Sequence, residues 1–410
     1  MNFLALIFKI CSIFTCDITT QNAYKIAWFF SNVLIACVCS MVFIIGTLSS
    51  TYALGLIGGF WTMLSGILIQ HSQYAIVDVP LSFFCTLYFA ITIFWLTRSF
   101  LSPNKLLFTS FLIGMAISIK YTGALLILPQ SIIIYHFIKK NCEFEGAKHF
   151  QLKFTGILGL GILATIFTFY LYEDFFIKKL VSFTTDGIIE LEYYKLLNKL
   201  TILSIITGTG LLLLNYLIKI GKIHEVGKFI SPLHLKSLSV VLISFVTFSP
   251  YTIIDIKIAF SDFMYEYRHM QIGSAAHYHH LSELYQSIVK NVDVMYPIRF
   301  YKTLLTSNFG VSGLVLVVFG IYEILFKRKL IGLIILLFCF SMLVTISSWQ
   351  NVAVRYTLSF LPLIYVLIPF GMHNLSMFLE KRFLQYNYSL TLLTLFTSFE
   401  PIIKWINLID

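Results

Sequence analysis

Long apolar runs separated by short polar clusters recur from one end of the 410-residue chain to the other. About 20 apolar residues carry a helix across a bilayer, and a helix satisfies its own backbone hydrogen bonds where no water can. On that basis spans are predicted at roughly 24–47, 53–69, 81–97, 106–119, 123–138, 154–172, 200–219, 236–254, 304–326, 330–348, 357–371 and 387–399. The expected fold is an all-α, polytopic transmembrane bundle of about 12 spans. Residues 2–15 are interrupted by Lys9 and are short for a span, so 1–23 is predicted to be an interfacial helix and loop. The 255–303 segment mixes aromatic and charged residues and is predicted to be a long outer loop with short helices. No internal repeat, low-complexity tract or soluble domain interrupts the pattern, so residues 1–410 are expected to form one transmembrane domain.

Composition agrees with that pattern. Hydrophobic residues make up 58% of the chain and charged ones 12%, about half the charge of an ordinary soluble domain. The formal charge of +10 could suggest a nucleic-acid partner, but about half of the Lys and Arg lie in short loops between apolar runs, as topology-setting charge does. Nucleic-acid binding is therefore rejected. The seven Cys lack paired metal-ligand spacing and read as small apolar fillers. No cleavable signal peptide is evident, since the first apolar stretch lacks a basic leading region.

Basic residues also assign sides. Arg98 with Lys105, the group Lys139, Lys140, Lys148 and Lys153, then Lys219, Lys222 and Lys228, followed by 327–329 and 380–382, all fall on one side when the spans are counted in order. That side is expected to be cytoplasmic. The Asp78 stretch, the Lys120 turn, 173–199, 255–303 and 349–356 then face outward.

The outward segments hold the candidate chemistry. Asp78 precedes Pro80 at the start of a span, where a carboxylate can cap the helix or act on a ligand. Lys120 ends "FLIGMAISIK" ahead of "YTG", where an ammonium can snorkel or hold a lipid phosphate. Arg355, with Tyr356 beside it in "WQNVAVRYTLSFLPL", is a cation on the side that disfavours cations, and its guanidinium suits bidentate phosphate contact. "YEYRHMQIGSAAHYHH" offers Arg268 and His269 among further His residues. Its spacing matches no standard metal motif; a substrate loop and an ordinary polar loop are the other readings.

Taken in order, "QYAIVDVPLSFF", "GMAISIKYTGALLILP", "YEYRHMQIG" and "RYTLSFLPLIYVL" resemble the GT-C class of integral membrane glycosyltransferases. The resemblance is to the bacterial relatives of protein O-mannosyltransferases and lipid A aminoarabinose transferases, and it covers nearly the whole chain. It implies a polyprenyl-phosphate-linked sugar donor and transfer to a lipid, glycan or protein acceptor at the outer face of a plasma membrane. By the resemblance Asp78 matches the acidic residue of the second outer loop, which helps bind the acceptor or a divalent cation, the one candidate cofactor; because an attacking hydroxyl needs a carboxylate to take its proton, Asp78 is also the expected catalytic residue. Lys120, Tyr121, Arg268, His269, Arg355, Tyr356, His71 and Tyr74 are the expected substrate-binding set; no residue is assigned as a resident metal ligand.

One departure bears on activity. Family members open with a full span and an outer loop carrying an Asp-Glu pair, whose Asp is the family's catalytic base, whereas "MNFLALIFKICSIF" resembles the interfacial helix that follows that loop. Asp17 is the only acidic residue before Asp78 and has no neighbouring Glu. The expectation is an N-terminally truncated member, with a diverged member of altered activity as the alternative. Two rival functions remain: a polysaccharide polymerase or ligase, which would also use outward cations and a polyprenyl donor, and a transporter, which would carry charges on broken helices.

Overall fold

A computed structural model of the chain describes residues 20–141 apart from 75, 231–263 apart from 257 and 260, 296–347 and 353–380, together with 160, 163, 164, 205 and 209. The expected spans at 154–172, 200–219 and 387–399, most of the 1–23 segment, and Arg268 and His269 lie outside the described residues.

The chain divides into two compact units, one made of Met1–Gln130, Val240–Ser249 and Asp293–Asp410, the other of Ser131–Ser239 and Pro250–Val292. All described elements are helical. They are α1 (Thr20–Ser49), α2 (Tyr52–Met63), α3 (Gly66–Ser72), α4 (Asp78–Thr97), α5 (Pro103–Ile119), a 3-10 helix at Tyr121–Leu126, and α6 (Ile127–Asn141). Then come α7 (Pro232–Phe248), α8 (Tyr251–Ile254), α9 (Tyr296–Lys327), α10 (Lys329–Ser347), a second 3-10 helix at Val354–Ser359, and α11 (Leu361–Glu380). Among the described residues five helices are long and apolar enough to cross a membrane, or six if the bent pair α2–α3 counts as one span. Large apolar side chains such as Phe29, Leu242, Val318 and Phe340 are exposed, as helices surrounded by lipid require.

Local chemistry sets where these helices begin. Thr51, Ser65 and Ser102 each accept a hydrogen bond from the backbone N–H three residues on, at 3.4, 3.4 and 3.5 Å, and Pro103 follows Ser102 at the first helical position. The Ser65 cap starts a new helix inside what the apolar run predicts as one span at 53–69. The result is a 56° bend between α2 and α3. The span expected at 304–326 is likewise interrupted, because Gly310 adopts φ 62, ψ −178 inside α9, a conformation open to glycine almost alone. The span expected at 357–371 starts later: residues 354–359 wind as a 3-10 turn before α11.

The core of the first unit is built on α4 and α11, the most enclosed of the five candidate spans. α4 packs against α1, α5 and both 3-10 helices, and α11 packs against α9, α2 and α1. Aromatic rings join each to a neighbour: Phe89 of α4 meets Phe338 of α10 at 5.4 Å, and Tyr365 of α11 meets Phe309 of α9 at 4.8 Å. Apolar side chains gain little from one another when the alternative is lipid, so helix contact here depends on close backbone approach and on polar links. Both are present. A Cβ on Gly320 would strike the Leu367 carbonyl and one on Gly371 the Leu316 carbonyl, so α9 and α11 touch backbone to backbone at two successive turns.

The polar link is Gln130. Its Oε1 accepts from Tyr88 at 3.0 Å and Thr109 at 3.1 Å, and its Nε2 donates to the Leu106 carbonyl at 2.9 Å and to Ser110 Oγ at 3.2 Å. One buried amide, with four bonds made, ties α4, α5 and α6 together.

Gly371→Val is expected to lower stability by about 3 kcal/mol through forced overpacking, read as an earlier unfolding midpoint in an SDS titration. Val318→Ala, on the lipid side of α9, is expected to change it by less than about 0.5 kcal/mol.

Candidate functional site

Asp78 is the first residue of α4, and Val77 occupies the capping position without making a side-chain bond. The carboxylate is therefore not spent as the expected helix cap. Its Oδ1 accepts a hydrogen bond from Lys120 Nζ at 2.6 Å, and the two side chains are only 5% and 11% exposed. Pro80 follows within the first turn, where its missing N–H costs no helical bond.

Lys120 reaches Asp78 because the chain turns back sharply. It closes α5 in extended conformation, φ −155, ψ 135, and at once opens the 3-10 helix, with Gly123 N–H bonded to the Lys120 carbonyl at 2.9 Å. A Cβ at Gly123 would sit 2.6 Å from the Ala116 carbonyl carbon. Only a residue without a side chain lets the turn lie on the last turn of α5. Tyr121 follows Lys120 and is half-buried.

The second 3-10 helix supplies the opposite wall. Tyr356 is 4% exposed, and the centre of its ring is 4.5 Å from Lys120 Nζ. The ammonium thus sits between a carboxylate and an aromatic face, a contact worth about 2 kcal/mol when desolvated. Arg355 is exposed; its Nη2 donates to Tyr356 Oη at 3.4 Å and its Cζ is 5.3 Å from the ring centre. One tyrosine therefore touches both cations.

His71, at the end of α3, lies within electrostatic reach of both Asp78 and Arg355, and its ring is 6.2 Å from that of Tyr74. Tyr74 is exposed. The segment that carries them is fastened to α1: Tyr24 Oη donates to the Gln73 carbonyl at 3.2 Å, Ser31 Oγ to the Tyr74 carbonyl at 3.2 Å, and Ser72 Oγ to Asn32 Oδ1 at 2.9 Å.

Every one of these groups stands at a helix end, and it is the same end. α4 begins there, α5 finishes there, and α11 starts there. Arg98 and Lys105 mark the other ends of α4 and α5, about 30 Å away along a 20-residue helix. Asp78, Lys120, Arg355, Tyr356 and His71, drawn from four stretches of sequence, thus form one cluster. The arrangement combines a carboxylate able to take a proton, two cations able to hold an anion, and an aromatic that fixes their spacing.

Sequence reasoning treated Asp78 and Lys120 as separate candidates and did not anticipate their direct pairing. It also passed over Glu323, buried in α9 and paired with Lys327 one turn on at 2.7 Å; the acid inside "GIYEILFK" and its i+4 lysine were the available signal. No group of three or more His, Cys, Asp or Glu suited to a metal occurs among the described residues.

No protein-family model and no curated protein matches the sequence. Among solved structures, the Archaeoglobus fulgidus oligosaccharyltransferase complexed with Zn and sulfate is similar with a TM-score of 0.48 at 12% identity, over 98% of this chain and 43% of that one. The same organism's enzyme with an inhibitory peptide and a dolichol-phosphate gives 0.48 at 14% identity, over 98% and 46%. Its apo form gives 0.47 at 11% identity, over 98% and 47%. This chain spans less than half the length of those chains.

Removing either partner of the Asp78–Lys120 pair leaves a buried charge unmatched and is expected to cost about 3–5 kcal/mol. Asp78→Asn combined with Lys120→Met is expected to cost well under the sum of the two single changes, measured as a double-mutant cycle of unfolding in SDS.

Proposed function

We propose that this chain is an integral membrane glycosyltransferase of the GT-C kind. It moves a sugar from a polyprenyl-phosphate carrier to a lipid, glycan or protein acceptor at the outer face of the plasma membrane. The supporting observation is the convergence of Asp78, Lys120, Arg355 and Tyr356 at one end of the helices. In this reading residues 1–410 form one membrane domain of about 12 spans, and the side bearing the cluster faces outward because Arg98, Lys105 and 327–329 occupy the other.

The chemistry needs few groups. A carrier whose tail stays in lipid presents its phosphate at the membrane surface, where Lys120 acts as a point charge and Arg355 as a bidentate clamp. An acceptor hydroxyl attacks the anomeric carbon, the bond from that carbon to the phosphate oxygen breaks, and its electron pair leaves with the carrier phosphate. The hydroxyl proton passes to Asp78, and the two cations stabilise the charge that grows on the leaving phosphate. In this reading His71, Tyr74, Tyr121, Arg268 and His269 contact the sugar or the acceptor. A divalent cation stays the one candidate cofactor, although no group of three or more His, Cys, Asp or Glu suited to it stands among the described residues.

A transporter needs charged residues on its broken helices. Among the described residues the breaks at Leu64–Ser65 and at Gly310 beside Phe309 carry no charge. A polysaccharide polymerase or ligase would share the carrier and the cations, differing in its acceptor.

The test is carrier binding. Protein in nanodiscs is expected to bind decaprenyl phosphate, followed by native mass spectrometry, and to bind decaprenol more weakly. Arg355→Gln is expected to weaken decaprenyl phosphate binding about tenfold or more, the loss of one charge-assisted contact. Equal binding of the phosphate and the alcohol would sink the reading.

A further inference from the structure

Lys120 is the group best placed to hold an anion, yet an internal anion, Asp78, already holds it. Asp78 Oδ1 lies at 2.6 Å, nearly sealed from solvent, so its carboxylate stands where a phosphate oxygen would otherwise stand. A phosphate oxygen and a carboxylate oxygen ask the same thing of an ammonium: a short, charge-assisted hydrogen bond.

We infer that Asp78 and the carrier phosphate exchange on Lys120, so that binding of the anionic headgroup uncovers the carboxylate. The inference rests on the reading that the cluster binds a lipid phosphate.

Three features favour exchange over simple addition. Both charges belong to one sealed pair, and a second anion brought beside Asp78 would meet strong repulsion in a poorly solvated place. Tyr356 holds the ammonium from another direction, at 4.5 Å from its ring centre; Lys120 therefore stays in position when Asp78 releases it. Arg355 touches the same tyrosine through Nη2, so a phosphate spanning the two cations is met by a preset pair.

Exchange has a consequence for timing. The carboxylate is covered while no donor is present and is exposed once the donor is seated. The acid that must take the acceptor proton becomes available only when there is a sugar to transfer.

The experiment turns on a sign. If Asp78 competes for Lys120, removing its charge strengthens carrier binding; if Asp78 merely orients Lys120, removing it weakens binding. Wild-type protein, Asp78→Asn and Asp78→Ser in nanodiscs are titrated with decaprenyl phosphate and, as a neutral control, decaprenol. Exchange predicts about tenfold tighter binding of the phosphate by Asp78→Asn, the gain when a site occupied about nine-tenths of the time by its own blocker is set free. The decaprenol affinity is expected to stay unchanged. Asp78→Ser serves as the second uncharged variant should Asn impair folding. Unchanged or weaker phosphate binding in the folded variants, with wild-type binding intact, overturns the exchange and leaves the carrier reading standing. Absence of phosphate-dependent binding in wild type and variants alike overturns both.

Discussion

An ammonium and a carboxylate 2.6 Å apart, almost without water, are the constraint around which this end of the molecule is arranged. In so poorly solvated a place an unmatched charge is costly. The pair therefore fixes the start of α4 against the end of α5, and the details around it serve that register. Gly123 permits the turn that aims Lys120 inward. Tyr24, Ser31 and Asn32 hold the segment leading to Asp78. Tyr356 meets the ammonium from another side with an aromatic face.

The rest of the first unit supports this geometry by means suited to lipid. Hydrophobic contact discriminates poorly among helices that lipid could equally well surround. Register comes instead from Gln130, whose amide makes all four bonds among α4, α5 and α6, and from glycines that let α9 and α11 meet at their backbones. Each device specifies a depth as well as a neighbour. The distance between Asp78 and Lys120 is in that sense set some turns away from the cluster, where Gln130 stops α4 and α5 from sliding.

Much of this was legible in the sequence, though unevenly. Apolar run length located α1, α4 and α10 within a few residues, because in a bilayer length and composition decide together. The same signal failed at Ser65 and Gly310: a run of apolar residues says nothing of a cap or a left-handed glycine embedded within it. Asp78, Lys120 and Arg355 stood out because charge at the edge of an apolar run is rare. Their convergence could be inferred only as a shared side, since nothing in "DVP" and "IKYTG" encodes a 2.6 Å contact across 42 positions. Tyr356 was noticed as a neighbour of Arg355, and its face toward Lys120 depended on the 3-10 turn that carries it.

Gly310 shows how much can rest on one backbone conformation. Its φ of 62° and ψ of −178° are the mirror image of an extended geometry that ordinary L-residues adopt freely. What the backbone selects is handedness: a D-alanine introduced there by chemical synthesis would adopt these angles freely, while L-alanine, identical in every bond and atom, would strain the helix break. The ribosome can supply only one achiral residue, and this bend depends on it.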